Sequence, residues 1–180
     1  MANELEQARE LIDRAVSGMT EEQLLFHPGE KWCSANILEH LALAFSGTVK
    51  GMQRVVEAGK PLGGRRSLRD IALQTGLLTL GYFPTGRTAP KMVTPSCTLG
   101  GLEALAMIRE NLQSMAAKLD EVEKQFGTSR RILDHPILGP LTLPQWRKFH
   151  LVHARHHMKQ IDQLRGAQSE RSAVGAVASR

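Results

Sequence analysis

The 180-residue sequence predicts an all-α protein: a bundle of four long helices with an additional short helix and a Pro-rich loop. Three observations predict it. Apolar residues recur at helical spacing in four long segments. Those segments are bounded by N-cap residues and glycines. No strand-like alternation of useful length, and no repeat at a 20–50-residue period, interrupts them.

The first helix covers residues 3–17, with Leu5, Ala8, Leu11, Ile12 and Ala15 on one face, and ends near Gly18. In "TEEQLLFHPGEKW", Thr20 and Gln23 have capping-box spacing and Pro28-Gly29 is a breaker, so a short helical turn and a loop follow. A second long helix starts from Ser34 as N-cap and runs to Gly59, and "GKPLGGRR" turns the chain. Residues 67–80 form the additional short helix. The next stretch, "GYFPTGRTAPKMVTPSCTLGG", carries Pro84, Pro90, Pro95 and four glycines, a composition that cannot continue a helix. A third long helix spans about Leu99 to Phe126, and the loop "GTSRRILDHPILGP" leads to a last helix. That helix begins at a Thr142 cap, accommodates Pro144 in its first turn and ends about Gly166. The bundle is therefore expected to occupy residues 1–166 as one domain, with 167–180, "AQSERSAVGAVASR", a disordered tail that has little to bury.

Composition narrows the function classes. An apolar fraction of 42% is enough to bury a core without metals or disulfides to hold it together. Cys33 and Cys97 are too few for a disulfide framework and lie in no zinc-finger spacing, which favours a reduced, cytoplasmic setting. The N-terminal "MANELEQARELIDRAV" lacks the apolar core of a signal peptide, and no stretch reaches the ~18 apolar residues of a spanning helix, so no membrane partner is expected. The net charge of +5 is spread among acidic residues and aromatic content is 4%, so no nucleic-acid partner is expected either; the basic excess reads as solvated surface.

The segment "HLVHARHHMKQ", residues 150–160, holds four of the seven histidines. At about 100° per residue, His153, His157 and His150 fall within the stripe formed by Trp146, Leu143, Ile161 and Leu164, and His156 at its edge. A single core histidine needs only one hydrogen-bond partner. Three together are harder to satisfy, since each unpaired buried polar group costs about 1–3 kcal/mol. One metal ion would serve several imidazoles at once, and pairs at i, i+3 or i, i+4 can chelate it. His150 and His157 lie about 10.5 Å apart along the axis, too far to share an ion, so the pair includes His153. Spacing leaves His153/His157 and His150/His153 both open.

A third ligand must come from another element. His40, in "WCSANILEHLALAF", stands at the edge of the apolar stripe of the second long helix, as a ligand or a boundary histidine. Ala44, Gly47 and Gly51 continue its row, which either leaves a hollow beside a metal or lets two helices pack closely. His27 and His135 each precede a proline and read as surface or turn residues without a catalytic role. Arg87 and Lys91 in the Pro-rich loop either cover the site and pair with an acidic substrate or form a solvated connector.

"KWCSANILEHLALAF" together with "HPILGPLTLPQWRKFHLVHARHHMKQI" resembles the DinB/YfiT-like superfamily, in particular a branch of DinB-like proteins with an "HP..G.LT..QW...H..HH..Q" signature; "FPTGRTAP" is similar as well. The likeness spans about residues 5–165. It implies a four-helix bundle of up-down-down-up order, often dimeric, holding a divalent metal through three histidines. One family ligand lies on the second helix and two form an HxxxH on the last, matching His40, His153 and His157; His150 then becomes a neighbouring core residue. The metal expected is Zn²⁺ or Ni²⁺, with open positions for water or a substrate atom. Related members include metal-dependent hydrolases and transferases using low-molecular-weight thiols, so the expected partner is a small-molecule substrate or thiol. No HExxH or helically spaced carboxylate supplies a general base, and no catalytic residue is assigned. The alternative is a metal- or ligand-binding module without turnover.

Overall fold

The structure is a computed structural model that describes residues 3–27, 29, 31–83 and 89–178, with side chains described as far as residue 169. Arg87 and the prolines at 28 and 84 lie outside the described residues. Helix α1 (Glu4–Val16) is capped by Asn3, whose side chain accepts the Glu6 N–H, and Gly18 follows at φ 74. The short α2 (Glu21–Leu24) carries the expected reciprocal Thr20–Gln23 capping box. Helix α3 (Ser34–Ala58) ends at left-handed Gly59. Its N-cap is Cys33 rather than Ser34, because Asn36 Oδ1 turns back to accept the Cys33 N–H at 3.2 Å. Ser67 caps α4 (Leu68–Gln74), which continues as a π turn over Thr75–Thr79. A single 3₁₀ turn, Lys91–Val93, precedes α5 (Gly101–Phe126).

Named contacts fix the helix directions. Asp13, late in α1, pairs with Arg109, early in α5, at 2.7 Å, so these two run antiparallel. Asn111 of α5 donates to the Ala42 carbonyl of α3, and Glu39 of α3 accepts the Ser96 and Cys97 N–H groups just before α5. The early turns of α3 and α5 therefore lie side by side, and the helices run parallel. Arg147, early in the last helix α6 (Leu143–Ala178), pairs with Asp120 and Glu123 near the end of α5. The order is up-down-down-up, and the all-α bundle predicted from the sequence is the observed one. The core is continuous across all four long helices, from Leu5, Ala8 and Ile12 through Phe45 and Met52 to Met115, Leu119 and Ile161.

Two expectations are corrected. The segment 127–140, read as a loop, contains a hairpin in which β1 (Arg131–His135) pairs antiparallel with β2 (Gly139–Thr142), with Leu133 opposite Leu141 and His135 opposite Gly139. Ile132 and Leu133 are both buried across a register irregularity, so the period of two that marks a strand is absent. The hairpin is held by Leu62 N–H donating to the Ile132 carbonyl and by Gln74 Nε2 donating to the Leu138 and Pro140 carbonyls. The last helix begins after the Thr142–Gln145 reciprocal cap, as expected, but does not stop at Gly166. Its backbone is helical through 167–178, the stretch read as a tail, because each of the two interior glycines, Gly166 and Gly175, costs only about 1 kcal/mol and Ala167, Gln168, Glu170 and Arg171 are helix formers. No described helix is long and apolar enough to cross a membrane.

Candidate metal centre

The bundle brings His40 of α3 against His153 and His157 of α6. His153 and His157 are one turn apart on one helix face, and antiparallel packing with α3 presents His40 to both. The His153 Nε2 atom lies 3.1 Å from His40 Nε2 and 3.0 Å from His157 Nε2. One ligating atom from each ring falls within 4.8 Å of the other two, and all three residues are buried. Among the described residues no cysteine or carboxylate joins them. Cys33 is buried at the α3 N-cap and Cys97 is exposed.

The protonation states follow from the outer nitrogens. His40 Nδ1 is 2.7 Å from the Val93 carbonyl, which can only accept, so Nδ1 carries the proton. His157 Nδ1 is 2.7 Å from Gln160 Oε1 and donates to it in the same way. Burial lowers the pKa of His40 despite the opposing Val93 carbonyl, and pushes His157 down to about 3 with help from neighbouring His40. Burial also holds His153 well below its ordinary value, reinforced by His157 and His40. Neutral rings protonated at Nδ1 leave two bare Nε2 lone pairs aimed at His153 Nε2. A proton there could serve only one of them, and His153 Nδ1 is itself buried without a partner. A cation among the three Nε2 atoms would take up all three lone pairs at once. Tetrahedral ligands about 2.05 Å from zinc stand about 3.3 Å apart, within a few tenths of an ångström of the two spacings to His153. The donor set fits a divalent metal, and the Val93 carbonyl and Gln160 amide are the outer partners that orient metal-binding imidazoles.

The other histidines separate from this group. His150 is fully buried but faces Thr48, whose Oγ1 lies 3.0 Å from its Nε2, so spacing alone could not exclude a pair that the fold does. His156, half-buried at the edge as expected, stacks on Phe83 and lies near Gln160. His27 is exposed, in line with its reading. Lys91 is exposed on the 3₁₀ turn, and Val93 two residues on is what the Pro-rich connection contributes to the centre.

A cavity of about 240 Å³ opens beside the cluster, with His40 and His153 in its wall. Ala44 and Gly47 line it, so the small-residue row of α3 does leave a hollow. Gly51 does the other thing: a Cβ there would come 2.4 Å from Leu133 Cδ2, so it admits the hairpin instead. Phe83, Val93, Leu133, Leu138 and Phe149 complete a mostly apolar wall. Three participants escaped the sequence reading: Val93, Gln160 and His135, which also lines the cavity. Gln160 had a usable signal in its three-residue spacing from His157; a backbone carbonyl such as Val93 has none.

An up-down-down-up bundle with a buried three-histidine cluster between its second and last long helices defines a class of helical proteins with a candidate metal centre. The sequence profile of the DinB superfamily matches residues 4–161, and the chain belongs to that superfamily. No curated protein and no solved structure matches the chain.

Proposed function

We propose that the protein is a divalent-metal-dependent enzyme acting on a small molecule, with His40, His153 and His157 as the metal ligands. The observation that carries this reading is the convergence of three neutral imidazole nitrogens, two with their lone pairs fixed by outer hydrogen bonds, at the wall of an apolar cavity. An all-nitrogen set suits Zn²⁺ or Ni²⁺. When bound, such an ion lowers the pKa of water or of a thiol and polarises a carbonyl, which is the chemistry of a hydrolase or a thiol transferase. The chain's own residues supply the rest. Val93 and Gln160 hold the rings in the ligating tautomer, Phe83 and Phe149 stack on His153 and exclude water, and the hollow at Ala44 and Gly47 receives the substrate's apolar part.

Elemental analysis of untagged protein tests the ligand set. Near-stoichiometric metal in the wild type and in His156→Ala, with loss in His153→Ala, is the expected result; equal retention in both variants defeats the assignment. Metal-loaded protein is then assayed on ester, amide and thiol-plus-electrophile panels. Absence of turnover on all of them, with metal bound, would favour a binding module.

A further inference from the structure

His135 closes the β1–β2 hairpin and lines the cavity beside the histidine cluster. Its Nδ1 receives two backbone N–H groups, from Ile137 at 3.1 Å and Leu138 at 3.2 Å. Both are donors, so Nδ1 carries no proton, and a neutral ring must carry it on Nε2. The intervening Pro136 has no N–H of its own and turns the next two toward the imidazole. Contact with Phe149, ring centroids 4.3 Å apart, and with Trp146 at 5.4 Å fixes the ring plane. Burial lowers the His135 pKa to about 4, which keeps the ring neutral at physiological pH. Among the described residues nothing accepts from Nε2–H. Trp146 lines the same cavity and is 3% exposed, and its indole N–H is likewise without an acceptor.

A tautomer-fixed N–H donor without a protein acceptor, and not itself sealed from solvent, thus stands in a mostly apolar wall, whereas the Trp146 N–H is sealed off. A small number of placed polar groups in a mostly apolar cavity is what orients a ligand there, and an accessible donor of fixed tautomer is such a group. The required partner is an acceptor. The charged side chains of the lining other than its histidines, Arg54 and Asp134, are exposed and of opposite sign. A volume near 240 Å³ lies below the usual range of drug-sized sites and admits only a small molecule.

We propose that the cavity binds a small, mainly apolar ester or amide, and that His135 donates its Nε2–H to the carbonyl oxygen. His135 is on this account a substrate-contacting residue supplied by the hairpin, with its tautomer set by the turn. The proposal deepens the metal-enzyme reading and rests on it for which end of the cavity reacts; binding itself is separable from metal.

The test uses the full-length protein, zinc-loaded and metal-free, with two probes: methyl phenylacetate and butylbenzene, which has methylenes in place of the ester. His135→Asn retains an acceptor for the turn N–H groups and removes the distal donor. The ester should bind about fivefold more weakly to the variant, the worth of one net hydrogen bond, with butylbenzene unchanged within twofold. In the wild type, imidazole ¹⁵N spectra should show His135 protonated at Nε2, with that resonance moving on addition of the ester and not of butylbenzene. This needs no variant and stands if His135→Asn fails to fold. Equal weakening of both probes, no weakening of the ester, no ester binding by the wild type, or a proton on Nδ1 would each overturn the proposal. A His135 effect retained in metal-free protein supports it even if the histidine cluster binds no metal. A metal-binding cluster with an inert His135 sinks this proposal alone.

Discussion

Acidification is the perturbation to which this core should respond most steeply. Burial holds His150 at about 3 and His135 at about 4, so both stay neutral in the folded protein at pH 5. In the unfolded chain the same rings titrate near 6.5 and are almost fully protonated at that pH. The folded-state values are depressed and protons favour the unfolded chain. The stability these groups confer is therefore complete above about pH 7 and falls away as the pH drops from 6.5 toward 3–4. Each ring costs about 1.4 kcal/mol per pH unit over that window, hence about 2 kcal/mol at pH 5. His157, also at about 3, adds to this in metal-free protein, and His153, held well below its ordinary value by burial, acts in the same direction. The three rings at about 3–4 together reach about 6 kcal/mol, comparable to the 5–15 kcal/mol that holds a typical domain folded. Urea melts followed by circular dichroism from about pH 7 to about pH 5, in chelator, measure the slope directly. His150→Leu isolates one proton, because Thr48 still donates to its own Ala44 carbonyl. The variant's stability should depend on pH less steeply by about 1.4 kcal/mol per unit. Parallel slopes for wild type and variant, or stability that is flat across the window, would refute the reasoning.

Three other outcomes are expected. Gln160→Leu removes the acceptor that orients His157 and should weaken metal binding about 10–100-fold with little change in helicity, as competition with a chromogenic chelator would show. Gly63→Ala places a Cβ 2.5 Å from the Arg131 carbonyl oxygen, a backbone atom that cannot swing aside, and should cost about 1–3 kcal/mol in a urea melt. Stripping the metal should lower the Tm while leaving the far-ultraviolet spectrum helical, since the core is continuous without it; unfolding on chelation would contradict a preformed site.

The helices were legible because each carries its face in its own residues. Leu5, Ala8, Ile12 and Ala15 recur at helical spacing and are all buried, and the Thr20–Gln23 box is a local contact readable from two letters. The hairpin was not legible: its two adjacent buried residues break strand alternation, and what stabilises it, Leu62 and Gln74, lies about 70 residues upstream. The histidine cluster was half visible. Helical geometry placed His150, His153 and His157 on one inward face, but only the register of α6 along α3 separates the ring that meets His40 from the ring that meets Thr48. His135 was misjudged because a histidine before proline looks like surface punctuation. The same proline arranges the two N–H groups that fix its tautomer.

The cluster joins residues 113 apart in sequence, and its consequence is temporal. At a synthesis rate of about 5–20 residues per second, His40 waits about 6–20 s for His153 to be made. During that interval α3 and α5 can already pair, but α1 has no α6 against which to bury Leu5 and Ile12. A metal ion cannot seed this fold; it can only latch a bundle whose final helix has already docked, so any chain truncated before that helix would lose the site and the partner of its first helix together.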